Sequence, residues 1–312
     1  MSKKVKVLIS ILIIIPLFIG ILGFLIAFIS SKMSPKYGEH VVDIFCQDTG
    51  FNRNAFNEKW EEHSKKLEVT SSLGHTIPIY YITKEKDYNN KTVILVHWHM
   101  SNHKVMYPIA ELFLQEGWNV VLYDQRAHGE NSAATVTFGY LESEDLAQVI
   151  DFTKAKNGNE RVGVMGQSMG AATIAYYLGS EEAKNKLSFA VLESPYSSMY
   201  DEIAWKITQN KIPLLEESLT SLGSIFCKLL YGYSFQSINQ VERVKASDTP
   251  TLMFHSKVDK VCPYYMGEAL FKAISHDRKK FVTFEKSNHL AAFWDEPERY
   301  QEELFSFING IR

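Results

Sequence analysis

Arg161-Val162-Gly163-Val164-Met165-Gly166-Gln167-Ser168-Met169-Gly170-Ala171-Ala172-Thr173-Ile174-Ala175-Tyr176-Tyr177-Leu178 changes its local pattern twice within a few residues. Arg161–Met165 is an apolar, β-branched run that reads as a buried strand, and Ala171–Leu178 reads as a buried helix. Between them stands G-x-S-x-G. In a strand-turn-helix context that pattern is a tight elbow that lifts the serine hydroxyl above the end of a sheet, with flanking glycines permitting the turn. Ser168 is therefore the candidate nucleophile.

A serine hydroxyl is a weak nucleophile at neutral pH, so this reading demands a base and a group that orients it. In the chain order expected for such an elbow, an acid follows the next-to-last core strand and a histidine follows the last. Asp259 lies in His255-Ser256-Lys257-Val258-Asp259, just past the apolar run Thr251–His255. His289 lies in Glu285-Lys286-Ser287-Asn288-His289, just past Lys280–Phe284. Alone, each is more ordinarily a turn or surface residue; it is their joint appearance in the two required loops that points to a triad.

Ser168, Asp259 and His289 in this order resemble the α/β-hydrolases over about residues 67–312. Within that superfamily the chain is most similar to membrane-anchored bacterial hydrolases of the serine aminopeptidase and monoacylglycerol lipase-like group. The resemblance implies an oxyanion hole of two backbone N–H groups, one from Met169. The other comes from the loop His97-Trp98-His99-Met100-Ser101, where His99 matches the donor position. Trp98 stands where the family usually has glycine, which narrows the backbone there and keeps Trp98 as an alternative donor. Asp124-Gln125-Arg126-Ala127-His128-Gly129 resembles the family's D-x-R-G-x-G loop, with Ala127 replacing a glycine. Its role there is structural, although Asp124 stands as a rival acid. His97, His99 and His103 lack the Asp and His of an HxHxDH metal motif, because Ser101 and Asn102 occupy those places. Neither a metal nor a cofactor is expected.

Short β-branched runs alternate with helical periodicity outside the elbow, the pattern of an α/β domain with a mostly parallel sheet flanked by helices. Leu67–Thr70 and Ile77–Thr83 read as antiparallel lead-in strands. Thr92–Val96, Asn119–Asp124, Arg161–Met165, Phe189–Glu193, Thr251–His255 and Lys280–Phe284 read as the parallel core. Val105, Ile109, Leu112 and Phe113 predict one helix behind an Asn102 cap, stopped at Gly117. The stretch 196–243 exceeds a plain connection and predicts a helical cap insertion. Its stripe of Leu214, Leu215, Leu219, Leu222, Ile225, Phe226, Leu229 and Leu230 is expected mainly to dock the cap, with part left to line an apolar pocket.

Residues 34–66 read as a linker and packing helix carrying Phe51, Phe56 and Trp60. Before them, Val7 to Ser31 is uncharged and follows Lys3, Lys4 and Lys6. As a helix it would measure about 37 Å at about 1.5 Å per residue, enough to cross a bilayer. Residues 1–33 are thus expected to form a cytoplasmic tip and a single transmembrane anchor, a cleaved signal peptide being the alternative. The lysines favour a cytoplasmic N-terminus and an extracellular catalytic domain at the cell membrane.

The 312 residues carry 33 basic and 36 acidic side chains, a formal charge of −3, and 46% are hydrophobic. That composition supports a large core and offers no basic excess for nucleic acid. The three cysteines, Cys46, Cys227 and Cys262, have neither CxxC spacing nor a disulfide pattern. The expected activity is serine hydrolysis of an ester, thioester or amide through an acyl-enzyme, on a small-molecule or lipid-like acyl substrate. Alternatives are an aminopeptidase-type peptidase, for which Glu193, Glu216 and Glu217 are available acids, and a non-enzymatic binding protein.

Overall fold

The computed structural model describes residues 20–29, 35–83, 91–156, 161–209 and 216–311. They fall into two compact units, one of Met33–Ser197 with Gln240–Arg312, the other of Met1–Lys32 with Ser198–Asn239.

The larger unit begins with helices α1 (Pro35–Thr49) and α2 (Arg53–Trp60), then enters the strands β1 (Ser64–Thr70) and β2 (Thr76–Ile82). β3 (Thr92–Val96), β4 (Asn119–Tyr123), β5 (Val162–Gln167), β6 (Phe189–Glu193), β7 (Thr251–Ser256) and β8 (Lys279–Phe284) complete one eight-stranded sheet. Its order is β1-β2-β4-β3-β5-β6-β7-β8. β1 and β2 pair antiparallel, and every pairing from β4 to β8 is parallel. The strand positions follow the apolar runs, with ends displaced by a residue or a few; β1 starts at Ser64 rather than Leu67.

Side-chain alternation divides the core. Val93 and Leu95 of β3 enter one buried cluster with Phe113, Trp118 and Tyr300, whereas Ile94 and Val96 enter another with Ile174 and Tyr177. Strands β3 to β7 are buried along their whole length, as expected of a parallel sheet covered on both faces.

The single helix expected behind Asn102 is two elements. Asn102 does cap, its Oδ1 accepting from the Lys104 N–H at 3.0 Å, but it caps a 3₁₀ turn, His103–Met106. Helix α3 (Tyr107–Gln115) starts afresh with Pro108 in its first turn. Proline has no N–H to donate and its ring suits that position, so it opens a helix rather than continuing one. Helices α4 (Tyr140–Lys156) and α5 (Met169–Leu178) complete the packing against the sheet before the insertion.

In the smaller unit, Ser198 and Asn239 form an antiparallel bridge that closes the insertion at its base. Between them lie α6 (Met199–Gln209) and α7 (Glu216–Tyr231). The stripe does not behave as a simple docking face. Leu219, Thr220, Gly223, Ser224 and Cys227 are buried, while Ile225, Leu229 and Leu230 are exposed. Leu214 and Leu215 lie outside the described residues. Small residues take the buried side because another helix approaches closely: a Cβ on Gly223 would stand 2.9 Å from Ile26. That neighbour belongs to the helical segment 20–29, whose Phe24 meets Phe226 edge-on at 6.2 Å.

Most of the Val7–Ser31 run lies outside the described residues. Among those described, no helix is long and apolar enough to cross a membrane.

Beyond the insertion, the larger unit resumes with α8 (Gln240–Val244), α9 (Tyr264–Ala273), α10 (Ala292–Asp295) and α11 (Pro297–Gly310).

Candidate active site

Ser168 sits between β5 and α5 with φ 52° and ψ −116°. The strain of the elbow therefore rests on the serine, and neither Gly166 nor Gly170 has a positive φ. Those glycines answer a different demand, close approach. A Cβ on Gly170 would lie 2.1 Å from the Val96 carbonyl oxygen, and one on Gly166 would lie 2.6 Å from the Gly170 backbone. Positive φ at a non-glycine residue costs about 1–3 kcal/mol and persists where surrounding structure enforces it. Here the Ser168 N–H donates to the Glu193 carbonyl at 2.8 Å, and its own carbonyl accepts from the Ala172 N–H at 2.9 Å.

Asp259 and His289 come together across the loops after β7 and β8. His289 Nδ1 lies 2.7 Å from Asp259 Oδ2, and the acid's side chain is fully buried. The other oxygen, Oδ1, accepts from the Val261 and Cys262 N–H groups, each at 2.9 Å. Burial pushes the Asp259 carboxyl up, but the His289 hydrogen bond and charge, His255 and the Cys262 N–H together hold it below the ordinary aspartate value. An ionised carboxylate on this nitrogen would orient the imidazole and leave its Nε2 available to a reacting group. Cys262 links this pair to the elbow, since its Sγ lies 4.0 Å from Ser168 Oγ while its N–H holds Asp259. Asp259→Asn is expected to lower turnover about 10⁴-fold by presenting the wrong imidazole tautomer, with the fold kept. Steady-state kinetics on an activated ester check it; a loss below tenfold would remove Asp259 from the site.

The rival acid, Asp124, is committed elsewhere. Its Oδ1 accepts from the His103 N–H and meets His103 Nδ1 at 2.8 Å, and its Oδ2 accepts from the Glu130 N–H. Gly129 at φ 51° packs so tightly on this carboxylate that a Cβ would come within 2.2 Å of it. Ala127, also left-handed at φ 59°, is a residue for which glycine is better suited. Ala127→Gly should stabilise the fold by up to about 1 kcal/mol, the relief of left-handed strain exceeding the added chain entropy. Urea unfolding tests this, and a loss of stability would contradict it.

The loop after β3 is locked by two neutral imidazoles that sequence reasoning did not assign. His97 Nδ1 lies 2.7 Å from the Trp98 carbonyl, and its Nε2 accepts the Gln125 N–H at 3.0 Å. His128 Nδ1 lies 2.8 Å from the Arg126 carbonyl, and its Nε2 accepts the Met100 N–H at 3.1 Å. Burial pulls both rings down, His97 to about 3 and His128 to about 4. Trp98 is not strained; the left-handed residue of this loop is Met100, at φ 65°. Trp98 and His99 both lie on the locked segment, so each keeps its candidacy as oxyanion donor. Met169 opens α5, where the first N–H groups have no helical acceptor and carry the positive end of the helix dipole.

Among the described residues no group of three His, Cys, Asp or Glu side chains is arranged to hold a metal. Glu193, considered as an acid for a substrate amine, is buried, and its Oε2 accepts from Tyr300 Oη at 2.6 Å and Gln167 Nε2 at 2.8 Å. Burial raises its pKa. Glu216 and Glu217 open α7 in the smaller unit.

A cavity of about 730 Å³ adjoins His289 and Gln167. Its walls include Phe45 and Asp48 of α1, Trp98, and Trp294. Neither Phe45 nor Asp48 stands out in the sequence; the one signal there is an aromatic on a helical stripe, which ordinary core packing produces equally well.

A family model described as the alpha/beta hydrolase fold matches residues 91–219. The uncharacterized protein YqkD of Bacillus subtilis is 25% identical over 312 residues, spanning 99% of this chain and 98% of its own length. A lysophosphatidylserine lipase, ABHD12 of Xenopus tropicalis, is 22% identical over 54% of this chain, which spans 44% of that protein. Among solved structures, the Pyrococcus furiosus esterase Pf2001 superposes with a TM-score of 0.65 at 22% identity, over 83% of this chain and 94% of that one.

Proposed function

We propose that this chain, which has the α/β-hydrolase fold, is a serine hydrolase that cleaves carboxylic esters through an acyl-enzyme. The observation that carries the reading is the 2.7 Å contact between His289 Nδ1 and buried Asp259, reached through Cys262 from a strained Ser168. His289 Nε2 takes the hydroxyl proton as Ser168 Oγ attacks the ester carbonyl carbon. The oxyanion is received by N–H groups of Met169 and of Trp98 or His99. The tetrahedral intermediate collapses, the leaving alcohol departs with the proton from His289, and water, activated by the same ring, hydrolyses the acyl-enzyme.

Esters are favoured over peptides in that Glu193, one of the three acids considered as an anchor for a substrate amine, is buried and already accepts from Gln167 and Tyr300. The similar proteins include an esterase and a lysophosphatidylserine lipase, which supports the same direction. The uncharged run Val7–Ser31 supports a membrane tether that would hold the enzyme near lipid-like substrates.

The test is labelling of the full-length protein in detergent with a fluorophosphonate probe, followed by ester and aminoacyl-amide panels. Labelling with turnover of esters is expected. A folded protein that neither labels nor turns over would overturn the proposal, and amide-only turnover would replace it with the peptidase.

A further inference from the structure

We infer that α1, a helix lying before the first strand of the sheet, is a specificity element of this site, and that its pocket accepts an uncharged apolar part of the substrate while disfavouring an anionic one. The inference rests on the serine-hydrolase reading above. The cavity beside His289 measures about 730 Å³, within the range of pockets that enclose a drug-sized ligand or a medium acyl chain. Phe45 of α1 is the hub of its aromatic wall. Its ring meets Trp98 edge-on at 5.4 Å and Trp294 at 6.1 Å. Trp98 belongs to the loop that carries the oxyanion donor candidates, and Trp294 follows the loop that carries His289. One helical side chain therefore touches both halves of the reaction site.

The helix is held in place. Glu39 accepts from Asn102 Nδ2 at 3.0 Å and pairs with Lys104 Nζ at 3.0 Å, both on the segment that follows the oxyanion loop, and with Arg53 at 2.9 Å. Gly38 approaches so closely that a Cβ there would lie 2.9 Å from the Ser101 carbonyl oxygen. Such a pocket is formed before substrate arrives, which reduces the ordering cost of binding.

Its charge is one-sided. Asp48, in the last turn of α1, is the only carboxylate among the described residues lining the cavity, and these include no lysine or arginine. Gln167, also in the lining, donates Nε2 to Glu193, and its Oε1 is buried rather than open to the cavity. A wall of rings with one carboxylate and no lysine or arginine suits an alkyl or aryl group, and repels carboxylate or phosphate.

The experiment uses the full chain, first checked by fluorophosphonate labelling. It compares kcat/KM for p-nitrophenyl acetate, octanoate and a carboxylate-ended acyl ester of similar length to octanoate. In the parent, octanoate should exceed the carboxylate-ended ester at least tenfold. Phe45→Ala should lower the octanoate-to-acetate ratio about tenfold. Asp48→Lys, at an exposed position near a helix C-terminus where lysine is tolerated, should raise the carboxylate-to-octanoate ratio about tenfold. Labelled variants that leave both ratios at parental values would overturn the inference while sparing the hydrolase reading. A folded parent that does not label would overturn both.

Discussion

Ser168→Ala is expected to abolish fluorophosphonate labelling and to reduce ester turnover on the order of 10⁴–10⁶-fold, the loss typical of removing a triad nucleophile. The residual rate would come from binding and the oxyanion N–H groups alone. Stability should be nearly unchanged. Alanine suffers the same strain at φ 52° as serine, and the hydroxyl's one described contact is with Cys262 Sγ at 4.0 Å. Ser168→Gly separates chemistry from conformation: it should be equally inactive yet more stable, because glycine removes strain of about 1–3 kcal/mol. A variant that labels as well as the parent would move the nucleophile elsewhere, and thermal unfolding with kinetics distinguishes lost chemistry from lost fold.

Two buried neutral histidines should withdraw stability as pH falls from 6.5 towards 4, a loss that begins above the range in which ordinary carboxylates titrate. His97 and His128 are buried as neutral rings, each accepting a backbone N–H at Nε2, and burial depresses their pKa values to about 3 and about 4. An unfolded histidine titrates near 6.5, so below that value the unfolded chain binds protons that the folded one refuses. Stability present above pH 6.5 is accordingly lost as pH falls towards 4 and below. A ring held near 4 accounts for about 3 kcal/mol across that window. Buried Glu142, Asp145 and Glu193, whose pKa values burial raises, act in the opposite sense. A difference measurement cancels them. His128→Gln, whose amide oxygen can still accept the Met100 N–H, should flatten the loss between pH 6.5 and 4 by about 3 kcal/mol. Equal slopes for parent and variant in urea unfolding at several pH values would refute the buried neutral ring.

Much of this was legible along the chain because it is local or ordered. Strand runs such as Thr92–Val96 and Phe189–Glu193 are continuous apolar segments, and they appear with their expected bounds. The helix behind Asn102 divides because Pro108 imposes a restart, and hydrophobic periodicity does not register where a helix must restart. The leucine stripe of α7 shows the same limit, since period reports a face without saying what covers it: Gly223 and Cys227 are buried while Leu229 is exposed.

By itself the sequence determined the α/β class, the elbow around Ser168 and two candidate partners, since strand, turn and helix are written in short-range pattern and the order of loops along a parallel sheet follows the chain. Only the tertiary structure decided which carboxylate meets which imidazole. Asp124 and Asp259 both follow strands, yet one is spent on His103 and the other reaches His289. It also showed that the left-handed conformation of the elbow falls on Ser168 itself, and it brought Phe45 between Trp98 and Trp294. Contacts between residues so distant in the chain have no period to betray them. They arise from how the sheet twists and what space its helices leave, which is settled only when the whole core packs.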